Sequence, residues 1–435
     1  MIRLIQKFLL VLLLISATAL RLCAEDSSTL AQVVAQLRQQ NQQLQEQLQK
    51  QNAAIESLNR KVTTLEEKTP ANPANETPAP ATGFGSAVSS KVHLSGEGAV
   101  GFFNTGSEGM FPHSEFRVDE ARLFLDAAVY DDVYGFLELN LATRESGDLN
   151  ANLGEAYLDF ENVSKHWGHE NLLSIRLGRM DVPFGEEYLY RDAIDNPLVS
   201  HSVMDFWGID EGIELYGMVG KVNYVLAVQN GSTATTGDFT SDKSVTARIG
   251  FDPARSVHVG LSAMRTGDLS VAAGEWSEIW IGNGLFSSIG SPATTKFHAN
   301  LAQGDVRVRL PHGHLHFAGG FARYDDNDPA GDNHRDFWFW SAEGVHNFTP
   351  KFYAGARFSQ VWVKDGYPLP GQGDFGQYYF GDLTEELWRL SLGVGYRFSE
   401  NLVLKTEYSF ERGRTLSGDA RAHEDMFSAV AAFKF

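Results

Sequence analysis

Between Asp181 and Gly208 the chain reads DVPFGEEYLYRDAIDNPLVSHSVMDFWG, which sets Asp181, Glu186, Glu187, Asp192, Asp195 and Asp205 against Arg191 as the one fixed positive charge. Pro183, Gly185 and Pro197 break any strand period there. Carboxylates gathered on such a stretch do electrostatic rather than bond-making chemistry. In a confined aqueous space they sort ions and orient dipoles, and on an open surface they merely solvate a loop. Two other groupings could hold metal. His312, His314 and His316 alternate along PHGHLHF, and Asp325, Asp326, Asn327 and Asp328 precede Asp332. The imidazoles suit a transition metal and the carboxylates Ca²⁺. The acidic group lacks the spacing of a calcium loop, and the histidines sit at a tight turn, so solvated or inward-facing side chains are the expectation and no metal site is assigned. The sequence has no phosphate-cradling glycine loop and no G-x-S-x-G elbow. Neither catalysis nor a cofactor is expected.

The elements that must position the acidic stretch are set by the rest of the chain. Over 435 residues the formal charge is −19, which excludes a nucleic-acid partner, since phosphate binding needs clustered Lys and Arg. Mean hydropathy is only −0.23, a value compatible with a membrane protein whose apolar residues face lipid at every second position. The single cysteine, Cys23, precludes an intrachain disulfide. Arg3 and Lys7, the apolar run Phe8 to Ile15 and Ala17-Thr18-Ala19 read as a secretory signal, residues 1–24. A coiled coil is expected over 27–68, with Leu30, Leu37, Leu44, Leu58 and Leu65 at d and Val34, Leu48, Ile55 and Val62 at a. A Pro/Ala-rich linker, 69–90, separates it from the C-terminal region.

From Lys91 to Phe435 the period becomes two. Leu137, Leu139 and Leu141 alternate with Glu138 and Asn140, and Leu390, Leu392, Val394, Tyr396 and Phe398 alternate with Arg389, Ser391, Gly393, Gly395 and Arg397. A water-soluble sandwich would turn the apolar face inward, and a membrane barrel turns it out. Tight turns and long loops alternate between about 16 segments of roughly 9 to 14 residues, which favours the barrel. The fold class is therefore all-β, a transmembrane antiparallel β-barrel of about 16 strands spanning 91–435 and preceded by an α-helical coiled coil. The acidic stretch falls between the fifth and sixth strands, where it is expected to fold into the lumen as a constriction loop comprising Asp181, Glu186, Glu187, Arg191, Asp192 and Asp195. The last strand carries Phe427, Phe433 and Phe435 on one face and ends the chain on phenylalanine. Such a strand looks like the signal read by the barrel-assembly machinery.

Three short motifs carry a family resemblance. Ile175-Arg176-Leu177-Gly178-Arg179 runs into Val182-Pro183-Phe184-Gly185-Glu186, Phe116 to Asp126 reads FRVDEARLFLD, and Gly154 to Asp159 reads GEAYLD. Together they resemble the phosphate-selective porin O and P family of bacterial outer membranes. The resemblance implies a 16-stranded trimeric porin, often with an N-terminal extension, that passes anions or other small solutes. The acidic constriction departs from the family's arginine ladder and lysine cluster.

If lipid faces the apolar positions, their neighbours line the pore. The basic lining is read as Arg122, Arg176, Arg179, Arg248, Arg307, Arg309, Arg357, Arg389, Arg397 and Lys405. The acidic lining is read as Asp126, Glu138, Glu155 and Asp159. An acidic loop opposite an arginine wall would set a field across the passage. Two functions remain open: passive diffusion of small hydrophilic solutes or anions through a trimer in outer-membrane lipid, or an anchor whose coiled coil tethers a periplasmic envelope layer.

Overall fold

A computed structural model describes residues 91–143, 151–231, 241–271, 285–286 and 293–435. The expected signal, coiled coil and linker, with Cys23, lie outside the described residues. Among those residues sixteen long antiparallel strands succeed one another: β1 (Val92–Asn104), β2 (Glu115–Tyr130), β3 (Val133–Ala142), β4 (Asn152–Phe160), β5 (Ser174–Asp181), β6 (Ile209–Val219), β7 (Val222–Gln229) and β8 (Ser244–Ala254) make the first half. β9 (Val257–Arg265), β10 (Lys296–Leu310), β11 (Gly313–Asp326), β12 (Arg335–Asn347), β13 (Phe352–Tyr367), β14 (Thr384–Ser399), β15 (Leu402–Thr415) and β16 (Met426–Lys434) make the second. Two-residue strands at Leu269–Ser270 and Ala420–Arg421 extend the long-loop rim. Each long strand pairs with its sequence neighbour, and β1 pairs with β16 from Glu97↔Lys434 to Asn104↔Phe427, closing the barrel without an edge.

Alternation decides what each face carries. Leu261, Phe317, Trp338, Leu392 and Phe427 stand exposed on the outside, while their neighbours Gly260, Ser262, His316, Phe339, Ser391 and Ser428 turn inward. Such an outer face is stable in hydrocarbon rather than water. Aromatic belts rim it at both ends. Phe102, Phe116 and Phe427 cluster towards the long loops, and Phe348, Phe352, Tyr396 and Phe398 towards the tight turns. Phe433 and Phe435 also face out, with their rings over Gly98 and Gly96.

The connections keep the expected rhythm with one departure. Asp132 in the β2–β3 turn and Gly220 in the β6–β7 turn adopt positive φ of 56° and 65°, as two-residue hairpins require. The β4–β5 connection is longer and holds a 3₁₀ helix at Val163–Trp167, with Ser164 Oγ accepting from Leu172 N and Leu173 N at 3.0 Å.

The lumen also departs from the polar interior expected. Inward Phe297, Leu301, Tyr324, Phe337, Val361 and Leu387 join Val182 and Phe184 in a buried apolar cluster, and Phe103, Phe111, Tyr353 and Val430 join Ala193 and Val199 in another. Both clusters exist because a loop lies against the inner wall and excludes water from it. At the long-loop rim Arg421 and Glu424, both fully buried, pair at 2.6 Å. Arg421 also donates to the carbonyls of Leu369 (2.5 Å) and Pro370 (2.7 Å) and covers the Tyr378 ring at 3.6 Å, fixing one rim loop to another.

Candidate functional site

The loop inside the barrel is residues 182–208, between β5 and β6. Val182 N donates to Gly208 O at 2.8 Å and closes its neck. Gly185 then turns the chain at φ +70°, a left-handed conformation that favours glycine. A 3₁₀ helix, Glu187–Tyr190, comes next.

From there the loop is held by inward side chains of the second half of the barrel. Glu186 Oε1 lies 2.6 Å from His258 Nε2, whose Nδ1 lies 2.8 Å from Asp252. Burial pushes the Tyr190 phenol well above its ordinary range, with Glu187 and Glu343 adding to the effect. It therefore stays protonated, and its hydroxyl lies 2.7 Å from His316 Nδ1 in a hydrogen bond. Arg357 donates to Ser200 O (2.7 Å) and Asn196 Oδ1 (3.1 Å), and Arg389 to His201 O (2.9 Å). Lys405 Nζ donates to three carbonyls, of Ala193 (2.6 Å), Asn196 (2.9 Å) and Leu198 (2.8 Å). Glu407 accepts from Val199 N (2.5 Å) and Ser200 N (2.9 Å). On the other side Asp192 pairs with Arg122, and Asp195 lies 3.9 Å from Lys434 Nζ. The anchors named run from β9 round to β2.

These contacts correct the picture of an acidic loop opposing an arginine wall, because most of the charges are paired. Arg357 binds Glu343 at 2.5 Å, and Arg389 binds Glu411 at 2.6 Å. Arg122 lies among Glu97, Glu120, Glu138 and Asp192. Arg176 binds Asp159 (3.1 Å) and Glu214 (3.2 Å). Within the loop Glu187 accepts from Ser202 N (2.8 Å) and Oγ (2.5 Å), and Arg191 pairs with Asp205 at 2.7 Å while covering Trp207. Asp181 N donates to Glu155 at 3.0 Å.

The remaining sequence-assigned positions sort by face. Arg248, Arg307 and Arg397 turn inward over the rings of Tyr188 (5.3 Å), Tyr190 (4.3 Å) and Tyr353 (4.1 Å). Arg309 shares their face near the tight-turn end, as does Asp126, which lies 4.0 Å from His93. Arg179 is the exception. It shares the outward parity of Leu177 and pairs at 2.9 Å with Glu211, which shares that of the exposed Ile213. An odd separation from Arg176 on an unbroken strand puts the two on opposite faces. His314 and His316 face inward against Glu343 (3.2 Å) and Tyr190, and His312 meets the ring of His346. Asp326 accepts from Thr294 (2.5 Å) and Asn333 (2.9 Å).

The sequence reading missed Glu97, Glu120, Glu214, Glu343, Glu407 and Glu411. Their signal was the same alternation: Lys405, Glu407, Ser409 and Glu411 interleave with Leu404, Thr406, Tyr408 and Phe410.

No protein-family model matches the chain, and no curated protein does. Solved structures do. The outer membrane channel DcaP of Acinetobacter baumannii aligns with TM-score 0.53 at 14% identity over 79% of this chain and 97% of that one. OmpT, an outer membrane protein of Vibrio cholerae, gives 0.52 at 11% over 79% and 97%. An anion-selective porin from Comamonas acidovorans gives 0.52 at 10% over 79% and 98%. The chain thus has the fold of the outer-membrane porins, a closed barrel of sixteen strands.

Proposed function

We propose that the chain is an outer-membrane porin, a passive channel for small hydrophilic solutes. The observation that carries this reading is the loop 182–208, anchored inside the closed barrel by inward side chains of its wall. Purified protein in a planar bilayer should give stable conductance steps, and a lumen sealed by the loop would give none. The constriction on this reading is the loop, with Asp192 and Asp195 as its solvent-facing acids, their side chains 40% and 54% exposed. Neutralising both to asparagine should move the reversal potential in a salt gradient towards anions, and an unchanged potential would remove them from the pathway. The phosphate preference implied by the family resemblance draws little support from these charges, because Arg122, Arg357 and Arg389 are each matched by carboxylates. Weak charge selectivity is the better expectation. The outward Phe427, Phe433 and Phe435 support delivery by the barrel-assembly machinery, and the fold supports a trimer in outer-membrane lipid.

The second reading, an envelope anchor, is favoured by the two apolar clusters that fill part of the lumen. On either reading the sequence supports a signal over residues 1–24 and a periplasmic coiled coil over 27–68. Deleting 27–68 should leave single-pore conductance intact and weaken oligomer stability or attachment to the layer beneath the membrane. Collapse of the conductance would instead make that segment part of the pore.

A further inference from the structure

Inward aromatic rings elsewhere in this barrel, such as Phe337, Phe339 and Tyr353, are buried in the two clusters under the loop. Phe124, Phe136 and Tyr157 belong to neither cluster. They lie on the inner faces of β2, β3 and β4, half-buried, and step across the strands as an offset stack. Phe124 and Phe136 are 5.9 Å apart at 22°, and Phe136 and Tyr157 are 5.1 Å apart at 26°. Arg176 continues the row, its guanidinium 4.4 Å over Tyr157 and 5.3 Å from Tyr216. Asp159 and Glu214 fix that guanidinium flat, and Tyr216 Oη donates to Asp159 at 2.8 Å. Apolar surface left half-open in a lumen gains little from burial, so packing alone does not account for the row.

We infer that this band is a subsite for a neutral sugar, a pyranose laid with its C–H face on the rings and its hydroxyls towards the Arg176, Asp159 and Glu214 cluster. The inference rests on the channel reading and names one solute class for it. Aromatic faces take up the apolar side of such a ring, and a few fixed planar charged groups orient the polar rim. Charge argues against an anion. Asp126, Glu138, Asp159 and Glu214 stand on this band against Arg122 and Arg176, four carboxylates to two guanidinium groups.

Calorimetry on the detergent-solubilised full chain tests this with maltose as probe and phosphate and benzoate as comparators. Maltose should bind saturably and the two anions should not. Phe136→Leu and Tyr157→Leu keep apolar volume without a ring face, and each should weaken maltose by about three- to tenfold, whereas Tyr157→Phe should retain it. Heat-dependent gel mobility shows that each variant has closed its barrel. Absence of maltose binding, leucine variants that bind maltose as tightly as the unaltered chain, or saturable binding of benzoate or phosphate in its place would overturn the subsite. Bilayer conductance decides the channel separately: steps without maltose binding sink only the subsite, and maltose binding without steps sinks only the channel.

Discussion

Lys405→Met is expected to unseat the lumen loop and give a larger, noisier conductance than the unaltered chain. The ammonium is almost fully buried and donates to three carbonyls of the loop, those of Ala193, Asn196 and Leu198. Methionine fills the volume but leaves those acceptors without a donor, at a cost on the order of 3–5 kcal/mol, comparable to breaking a buried ion pair. Glu407→Gln attacks the same seat from the other sign. Its carboxylate accepts from Val199 N, Ser200 N and, at 2.5 Å, Ser200 Oγ, and an amide nitrogen in place of one oxygen cannot accept. The pair separates anchoring from charge. If the residues work as anchors, both variants raise conductance and noise and lower the urea midpoint, and together they cost less than the sum because they hold one segment. If they act only as lumen charges, the reversal potential moves in opposite directions and the noise stays as it was. Single-channel recording of both variants distinguishes these results, and two quiet, unchanged channels would mean that the seat is unimportant.

How far such a seat can be foreseen depends on the range of the interaction. Alternation of Leu390, Leu392 and Val394 with Arg389, Ser391 and Gly393 is local, and so the barrel, its strand number and the place of the long loop were legible. Lys405 meets Ala193 across a sequence separation of 212 residues, and nothing in either neighbourhood names the other. The apolar filling was hidden for a related reason. In Arg335 to Asn347, RDFWFWSAEGVHN, both faces are apolar from Phe337 to Trp340, and one-sided burial cannot be read until the covering loop is known. Arg179 was misplaced by motif, since a spacing of three from Arg176 cannot put both on one face of a strand. The inward carboxylates were as legible as the arginines they pair with. An inward arginine within a low-dielectric wall requires a partner, and Glu343 and Glu411 obeyed the same alternation.

Arg122→Met should have the largest effect on ion selectivity. One guanidinium, its side chain 18% exposed, serves Glu97, Glu120, Glu138 and Asp192, and Glu120 in turn accepts from Ala193 N at 3.2 Å. The cation therefore holds four carboxylates from β1, β2, β3 and the loop in one place. Without it they repel one another beside the passage, and the pore should become strongly cation-preferring while the barrel loses on the order of 3–5 kcal/mol. Asp192 is the member that can leave, because the loop rather than a strand carries it. Adding Asp192→Asn to Arg122→Met should accordingly restore part of the stability and move the reversal potential back towards that of the unaltered chain. A double-mutant cycle should give a coupling of about 0.5–3 kcal/mol. Independent, additive effects would mean that Arg122 is held by its strand neighbours alone.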